Sequence, residues 1–455
     1  MQEGTRPKTI QKKLFPKAEK KLPNGSQFSD TAFIANKSLP VHRWVPWIAG
    51  YSSEFVKNVL KHHREPLDMV LDPFCGVGTT ITESFIRGYD SVGFEINPYA
   101  AFACKTKIDA YYIDSRELKS HIDAFVSFYA KRNTVGYTPH TSPPEGFKTR
   151  TAFYSPDVLR KVLIVLDYIN LIPDEPIRNV FRLAFASTMV GYSNYSYEPS
   201  LGTRKGSGKR DVIDYPVAET IIKKLDEMLK DIIWLQNKVT YVPSAHVFND
   251  SFFNSQKHID NDSISLIITS PPYLNNYHYN RNTRPQLYWL GFVKKPDDMK
   301  PLEHSNFGSF WQTARTQDKI DISFSLPESN LESQLRELRS INPERGVYGG
   351  NGWANYAAQY FNDCHKFCWR MSDLLREGGL AFVVIGNSIL QGVMIPTDRY
   401  LGEIAQTCGL AVENIEISRQ KRVGNSITSS SVRVNGNGVE KKHTLYEAVV
   451  TLRKP

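Results

Sequence analysis

Two hydrophobic rhythms alternate along the chain. Short, largely apolar runs bounded by turn residues recur at 67–71, 91–95, 246–248, 263–268, 380–385 and 445–452, and a further strand is expected near 412–417. Runs of that length suit strands buried on both faces. Helical spacing separates several of them. Ser52 or Ser53 caps a predicted helix to His62 that turns Phe55, Val56 and Leu60 inward. Further helices are expected over 81–87, from Asn97-Pro98 to Lys107, and over 396–407. Strand–helix alternation of this kind implies an α/β fold, a doubly wound, mostly parallel sheet with helices on both faces.

Two stretches exceed what such a sheet needs. Residues 110–240 are helical throughout: Ser155-Pro156 opens a helix carrying Val158, Leu159, Val162, Leu163 and Leu166, a second covers 177–190, and a third covers 217–235. Residues 294–352 mix Pro, Asp, Ser and Gly with short amphipathic pieces and read as a second insertion. Next comes a long helical stripe from Tyr356 to Leu375, which Gly378-Gly379 is expected to end. Cys364 and Cys368 lie on that stripe and His365 does not share their face, so they read as core residues and no metal site is expected. The chain therefore divides into a basic arm (1–33), a first sheet portion (34–109), a helical insert (110–240), a second sheet portion (241–293), a second insert (294–352) and a C-terminal sheet portion (353–455).

Composition narrows the partners. The 455 residues carry a formal charge of +9, which favours a polyanion. The lysines are dense in the arm (Lys8, Lys12, Lys13, Lys17, Lys20, Lys21) and cations recur in a Ser/Asn/Gly-rich loop at 419–443. Between the second and third helices of the insert lies YSNYSYEPSLGTRKGSGKR, with Arg204, Lys205, Lys209 and Arg210 beside glycines and tyrosines. Flexible backbone, clustered charge and stacking rings suit contact with nucleic-acid phosphates and bases; a solvated surface loop is the alternative reading. Five cysteines without paired spacing point to a reducing compartment. No apolar run approaches a membrane span, so a soluble protein is expected.

The chemistry concentrates at two strand ends. Asp72 to Thr80 reads DPFCGVGTT, a glycine turn between a strand and a helix. Glycines there allow unusual dihedrals and a close ligand approach. A second strand ends in Glu95, about 20 residues on, where a ribose diol is commonly held. Far downstream, the run 263–268 leads into Thr269-Ser270-Pro271-Pro272-Tyr273.

DPFxGxGTT together with TSPPY resembles the S-adenosylmethionine-dependent amino-methyltransferases of DNA, and the SPPY form resembles their cytosine-N4 branch. The resemblance implies a seven-stranded, Rossmann-like methyltransferase sheet whose last strand is inserted antiparallel. It implies S-adenosyl-L-methionine as cofactor, held by Asp72, Pro73, Phe74, Gly76, Gly78, Thr79, Thr80, Glu95 and Ile96, with Asp250 on the adenine amine and Phe252 or Phe253 on its ring. Trp44 and Trp47 either flank the methionine end or are ordinary core aromatics. Ser270 and the Pro271 carbonyl would accept the two hydrogens of the target amine, Pro272 would help fix the backbone, and Tyr273 would stack on a base flipped out of the duplex. The stretch from Leu274 to Phe292, rich in polar and aromatic groups such as Asn275, Asn276, Tyr277, His278 and Tyr279, would line the base pocket. A carbon-5 cytosine enzyme conventionally needs a Pro-Cys nucleophile, and none of the five cysteines follows a proline. By resemblance the partners are double-stranded DNA, gripped by Arg204, Lys205, Lys209 and Arg210, and a cognate restriction endonuclease. The location is a prokaryotic cytoplasm. An adenine-N6 or RNA enzyme on the same fold, or a non-catalytic DNA-binding relic of it, are the competing readings.

Overall fold

The computed structural model describes residues 31–47, 50–63, 68–134, 136–197, 200–274, 279–308, 311–421 and 444–455. The basic arm before residue 31, Leu67, residues 275–278 and the loop from 422 to 443 lie outside the described residues.

Seven strands form one sheet: β1 (Val70–Asp72), β2 (Ser91–Phe94), β3 (Ala245–Phe248), β4 (Ile264–Thr269), β5 (Leu375–Gly386), β6 (Ala411–Lys421) and β7 (Leu445–Arg453). Their spatial order is β6-β7-β5-β4-β1-β2-β3. β1 pairs in parallel with β2 and β4, β2 with β3, and β4 with β5. β7 runs antiparallel between β5 and β6, as the family resemblance implied. The chain leaves β1 in one direction through β2 and β3, then returns to β4 and β5 on the other side. The β1–β4 boundary is therefore a topological switch point, where parallel sheets open a crevice at their carboxyl ends.

Period-two alternation buries both faces. Leu71, Ile267, Val383 and Val450 pack with α10 (Gly350–Leu374) and α11 (Thr397–Thr407). Val70, Leu266, Phe382 and Val449 pack with Phe55, Val56 and Leu60 of α1 (Ser53–His62). Of the two serines before α1, Ser52 is the cap, its side chain accepting from the Glu54 amide. Cys364 and Cys368 are buried on the sheet-facing side of α10.

The helices of the 110–240 stretch share a core with the sheet's own helices. Ile81 and Phe85 of α2 (Thr79–Ile86) and Ala103 of α3 (Pro98–Asp109) join Phe125, Val162, Phe181 and Leu225. Those four belong to α4 (Ser115–Arg132), α5 (Pro156–Leu171), α6 (Glu175–Thr188) and α7 (Val217–Lys238) respectively. Buried Asp231 on α7 fastens the chain before α1 by accepting from the Val41 amide, Arg43 and the Trp44 indole. α8 (Tyr279–Trp289) follows β4, and α9 (Leu331–Ser340) packs on α10.

One element differs from expectation. The long helix ends at Leu374, before Gly378-Gly379, and those glycines lie inside β5. The register against β4 shifts between Ile264–Leu375 and Leu266–Leu380, and Gly378 takes φ 77°. The pair forms an irregularity in the ladder, where a left-handed glycine absorbs the extra residues.

Candidate functional site

Four parallel strand ends meet at one cleft. After β1 it is lined by Pro73, Phe74 and Gly76; after β2 by Glu95, Ile96 and Asn97; after β3 by Asp250, Phe252 and Phe253; after β4 by Ser270 and Pro272. The motifs at residues 72–80 and 269–273, almost two hundred positions apart, thus open on the same space.

Glu95 is the hinge of the cofactor-side geometry. Its Oε2 accepts from the Gly76 amide at 3.0 Å and its Oε1 from the Asn97 amide at 2.7 Å. Each oxygen keeps a lone pair, so the carboxylate can still receive two hydroxyl donors. Burial pushes its pKa up to about 7, against the pull of the Asn97, Gly76 and Ile96 amides. Gly76 has φ 52°, and a side chain there would meet the Trp47 indole at 3.3 Å. Asp250 accepts from the Ser251 amide, Asn254 Nδ2 at 2.8 Å and His258 at 2.9 Å. Burial acts to raise its pKa, but the hydrogen bonds from Asn254 and His258 outweigh this and hold it below the usual carboxylate range. Three donors leave one acceptor position for a ligand amine. Between the two acids lies an aromatic slot in which Phe74 packs against Phe252 and Phe307, and Phe253 stacks on Phe307.

Several motif residues are not brought to the cleft. Asp72 is fully buried, accepting from Tyr51 at 2.6 Å and Thr269 at 2.7 Å, with its pKa raised to about 6 by burial. Thr80 hydrogen-bonds the Ile268 carbonyl and Tyr51 behind the turn, and Thr79 is buried at the start of α2. Gly78 faces α3: a Cβ there would lie 2.3 Å from Cys104 Sγ. The side chains of Asp72, Thr79 and Thr80 and the Cβ position of Gly78 pack the turn against the sheet and α3, and none of these four residues is among those lining the cleft. Trp44 is core, and Trp47 lines the cleft.

In the tetrad, Ser270 faces the cleft and Pro271 is buried. The Pro272 carbonyl accepts from the Tyr360 hydroxyl at 3.1 Å. Tyr273, expected to present its ring to a base, does not line the cleft. Its ring packs against Gly386, where a Cβ would come within 3.0 Å, and its hydroxyl donates to Glu447 at 3.0 Å. The Ser270 hydroxyl donates to the Tyr273 oxygen at 3.4 Å, which leaves the serine's lone pairs directed elsewhere.

Sequence reading missed Ser305, Asn306 and Phe307, which line the cleft, as does Asn280 from the 274–292 stretch. Phe307 comes from the 294–352 stretch, where an aromatic between polar residues was the only signal. Asn280 lies in the first turn of α8 and accepts from Asn97 Nδ2 at 3.4 Å. Arg204, Lys205, Lys209 and Arg210 follow a hairpin (Tyr195–Tyr197 and Leu201–Thr203) that is anchored on α8. There the Tyr197 hydroxyl donates to the Asn282 carbonyl and the Leu201 amide to Asn282 Oδ1. Lys205 pairs with Asp211 at 2.9 Å, and Arg204 donates to the Arg210 carbonyl. Among the described residues no helix is long and apolar enough to cross a membrane.

Comparison with known proteins agrees with this geometry. A DNA methylase family model of the N6/N4 class matches residues 27–105, which include the glycine turn and Glu95. The type II methyltransferase M.BsoBI of Geobacillus stearothermophilus is 24% identical over 439 residues, covering 87% of this chain and 83% of that protein. M.AvaI of Nostoc sp. is 24% identical over 93% of this chain and 88% of its own length. M.MvaI of Kocuria varians is 20% identical over 86% of each. These matches support an enzyme of the N4/N6 DNA methylase class.

Proposed function

We propose that the chain transfers the methyl group of S-adenosyl-L-methionine to the exocyclic N4 amine of a cytosine extruded from duplex DNA, as the modification partner of a restriction endonuclease. The observation that carries this reading is Ser270 lining the same cleft as Gly76, Glu95 and Asp250.

The residues of the cleft fit the cofactor by their donor set. Glu95 offers two free lone pairs to a ribose diol, Asp250 offers one acceptor to the adenine amine, and Phe74, Phe253 and Phe307 offer ring faces and edges to the purine. S-adenosyl-L-methionine supplies an electrophilic methyl group when bound there.

The chain's task is to make a poor nucleophile attack. A cytosine amine has its lone pair delocalised into the ring. Ser270 Oγ accepts one amine hydrogen and the Pro271 carbonyl the other, drawing the nitrogen toward tetrahedral geometry with its lone pair aimed at the methyl. The Ser270 proton is occupied by Tyr273, which favours the accepting orientation of the hydroxyl. Proline at 271 and 272 restricts φ, and the Tyr360 bond to the Pro272 carbonyl stiffens the backbone beside it. Positioning supplies the catalysis, with no covalent intermediate on the protein. The grip on phosphates falls to Arg204, Lys205, Lys209 and Arg210, and base-specific reading to residues 294–352, which also wall the cleft through Phe307.

Methylation of mixed-sequence DNA by the purified chain, followed by mass spectrometry of the nucleosides, tests the reading. N4-methylcytosine is the expected product; N6-methyladenine would move the chain to the adenine branch.

A further inference from the structure

Asp250 lines the cleft, and its acceptor positions are not equivalent. Oδ1 receives both the Ser251 amide, at 2.7 Å, and Asn254 Nδ2, at 2.8 Å, so that oxygen is filled. Oδ2 receives His258 Nε2 at 2.9 Å, and among the described residues no other donor reaches it. The position left for a ligand amine is therefore on the oxygen that His258 holds. Two bonds on Oδ1 leave Oδ2 able to swing about it, and the imidazole is the third point that stops the rotation. An ionised carboxylate only accepts, so His258 Nε2 carries the hydrogen.

His258 is itself held in place. It follows a short 3₁₀ turn (Phe252–Lys257), its amide donating to the Ser255 carbonyl. Its ring stacks on Phe248, the last residue of β3, with centroids 4.2 Å apart and planes at 28°, and it packs against Phe94 at the end of β2. The His258 and Asp250 side chains are 25% and 30% exposed, where such a pair adds little to stability. Its consequence lies in orientation.

We propose that His258 is a positioning residue for cofactor selectivity: it locks Asp250 Oδ2 so that the cleft favours a purine bearing a 6-amino group over one without it. A site built to hydrogen-bond a group rejects the analogue lacking it, because the site's own polar atom is then left unpaired. Freed of His258, the carboxylate can turn to water, and the penalty for a missing amine shrinks. The inference rests on the assignment of Asp250 to the adenine amine and adds the residue that makes that contact selective.

Calorimetric titration of the full chain tests it with two probes. They are S-adenosylhomocysteine and its analogue with hydrogen in place of the 6-amino group, and the readout is the ratio of their dissociation constants. Wild type should favour the amine about tenfold, the worth of one hydrogen bond to a charged acceptor. His258→Phe keeps a ring on Phe248 and removes the donor, so the ratio should fall to about twofold. His258→Gln returns an N–H near the place of Nε2 and should keep the ratio close to wild type. A disturbed fold would weaken both probes alike and leave the ratio untouched. An unchanged ratio in His258→Phe, or a loss in His258→Gln equal to that in His258→Phe, overturns the positioning role. Asp250→Ala separates the two levels of the reading. If it too keeps the wild-type ratio, Asp250 does not meet the amine and the underlying assignment falls with the proposal. If Asp250→Ala erases the ratio while His258→Phe keeps it, His258 alone is struck out.

Discussion

The Tyr273 hydroxyl donates to Glu447 Oε1 across 3.0 Å, tying the tetrad after β4 to the antiparallel strand β7. Glu447 is 7% exposed and pairs through its other oxygen with Arg419 at 2.8 Å, so its charge is compensated where it stands. The bond holds Tyr273 off the cleft and sets its oxygen to receive the Ser270 proton.

Two substitutions separate bracing from stacking. Tyr273→Phe keeps a ring but loses the hydroxyl, so a stacking role predicts nearly normal turnover. A bracing role predicts a loss of about 0.5–1.5 kcal/mol in single-turnover methylation, the usual net worth of one hydrogen bond. Ser270→Ala should lose most turnover while cofactor affinity, measured by calorimetry, stays near wild type. Wild-type turnover in Ser270→Ala would remove the serine from the chemistry.

Gly78 illustrates a motif residue whose identity answers packing. Its φ is 84° and Cys104 Sγ occupies the place of a Cβ, so Gly78→Ala incurs two separate costs. The left-handed backbone costs about 1–2 kcal/mol and overpacking about 1–3 kcal/mol. Adding Cys104→Ala should relieve the second cost and leave the first. Denaturant unfolding of the two single variants and the double variant measures the coupling; strict additivity would show that the two side chains do not collide.

Most of the sheet was legible because strands buried on both faces leave apolar runs; β6, whose span holds Glu413, Asn414 and Glu416, leaves none. Gly378-Gly379 misled because a glycine pair after a helical stripe reads equally as a helix stop or as a strand irregularity; pairing with β4 decides it. Within the cleft, Glu95 and Ser270 were legible because each ends a strand beside a turn. Phe307 was not, because a segment distant in sequence from the strand ends brings it there and periodicity carries no record of that packing. The placement of Asp72 and Thr80 was not legible for a related reason: a strand-end motif does not reveal which side chains face the cleft and which face Tyr51 behind it.

The basic loop offers a test in salt. Lys205 and Asp211 pair at the surface, where such bridges contribute little, so DNA phosphate can displace the carboxylate. Replacing Arg204, Lys205, Lys209 and Arg210 together should weaken binding to every sequence and flatten the log–log salt dependence by about one unit per lost phosphate contact. A change of sequence preference at constant slope would instead assign base reading to this loop and phosphate contact to residues 294–352.

Glu95 should make cofactor binding release protons. In the free protein its pKa is raised to about 7, so just below that pH most molecules carry the neutral acid. A raised carboxyl pKa stabilises the free fold fully below the ordinary glutamate value of 4.5, and that contribution is lost as pH rises through about 7. Ribose hydroxyls donating to the carboxylate favour its charged form and lower the pKa. Affinity should therefore rise with pH up to about 7 and level off above it. Calorimetry just below pH 7 in two buffers of different ionisation enthalpy counts the protons released. Glu95→Gln should abolish the release and weaken binding by about 1.5–3 kcal/mol. Equal proton release from wild type and Glu95→Gln would place the titrating group elsewhere and take Glu95 off the ribose.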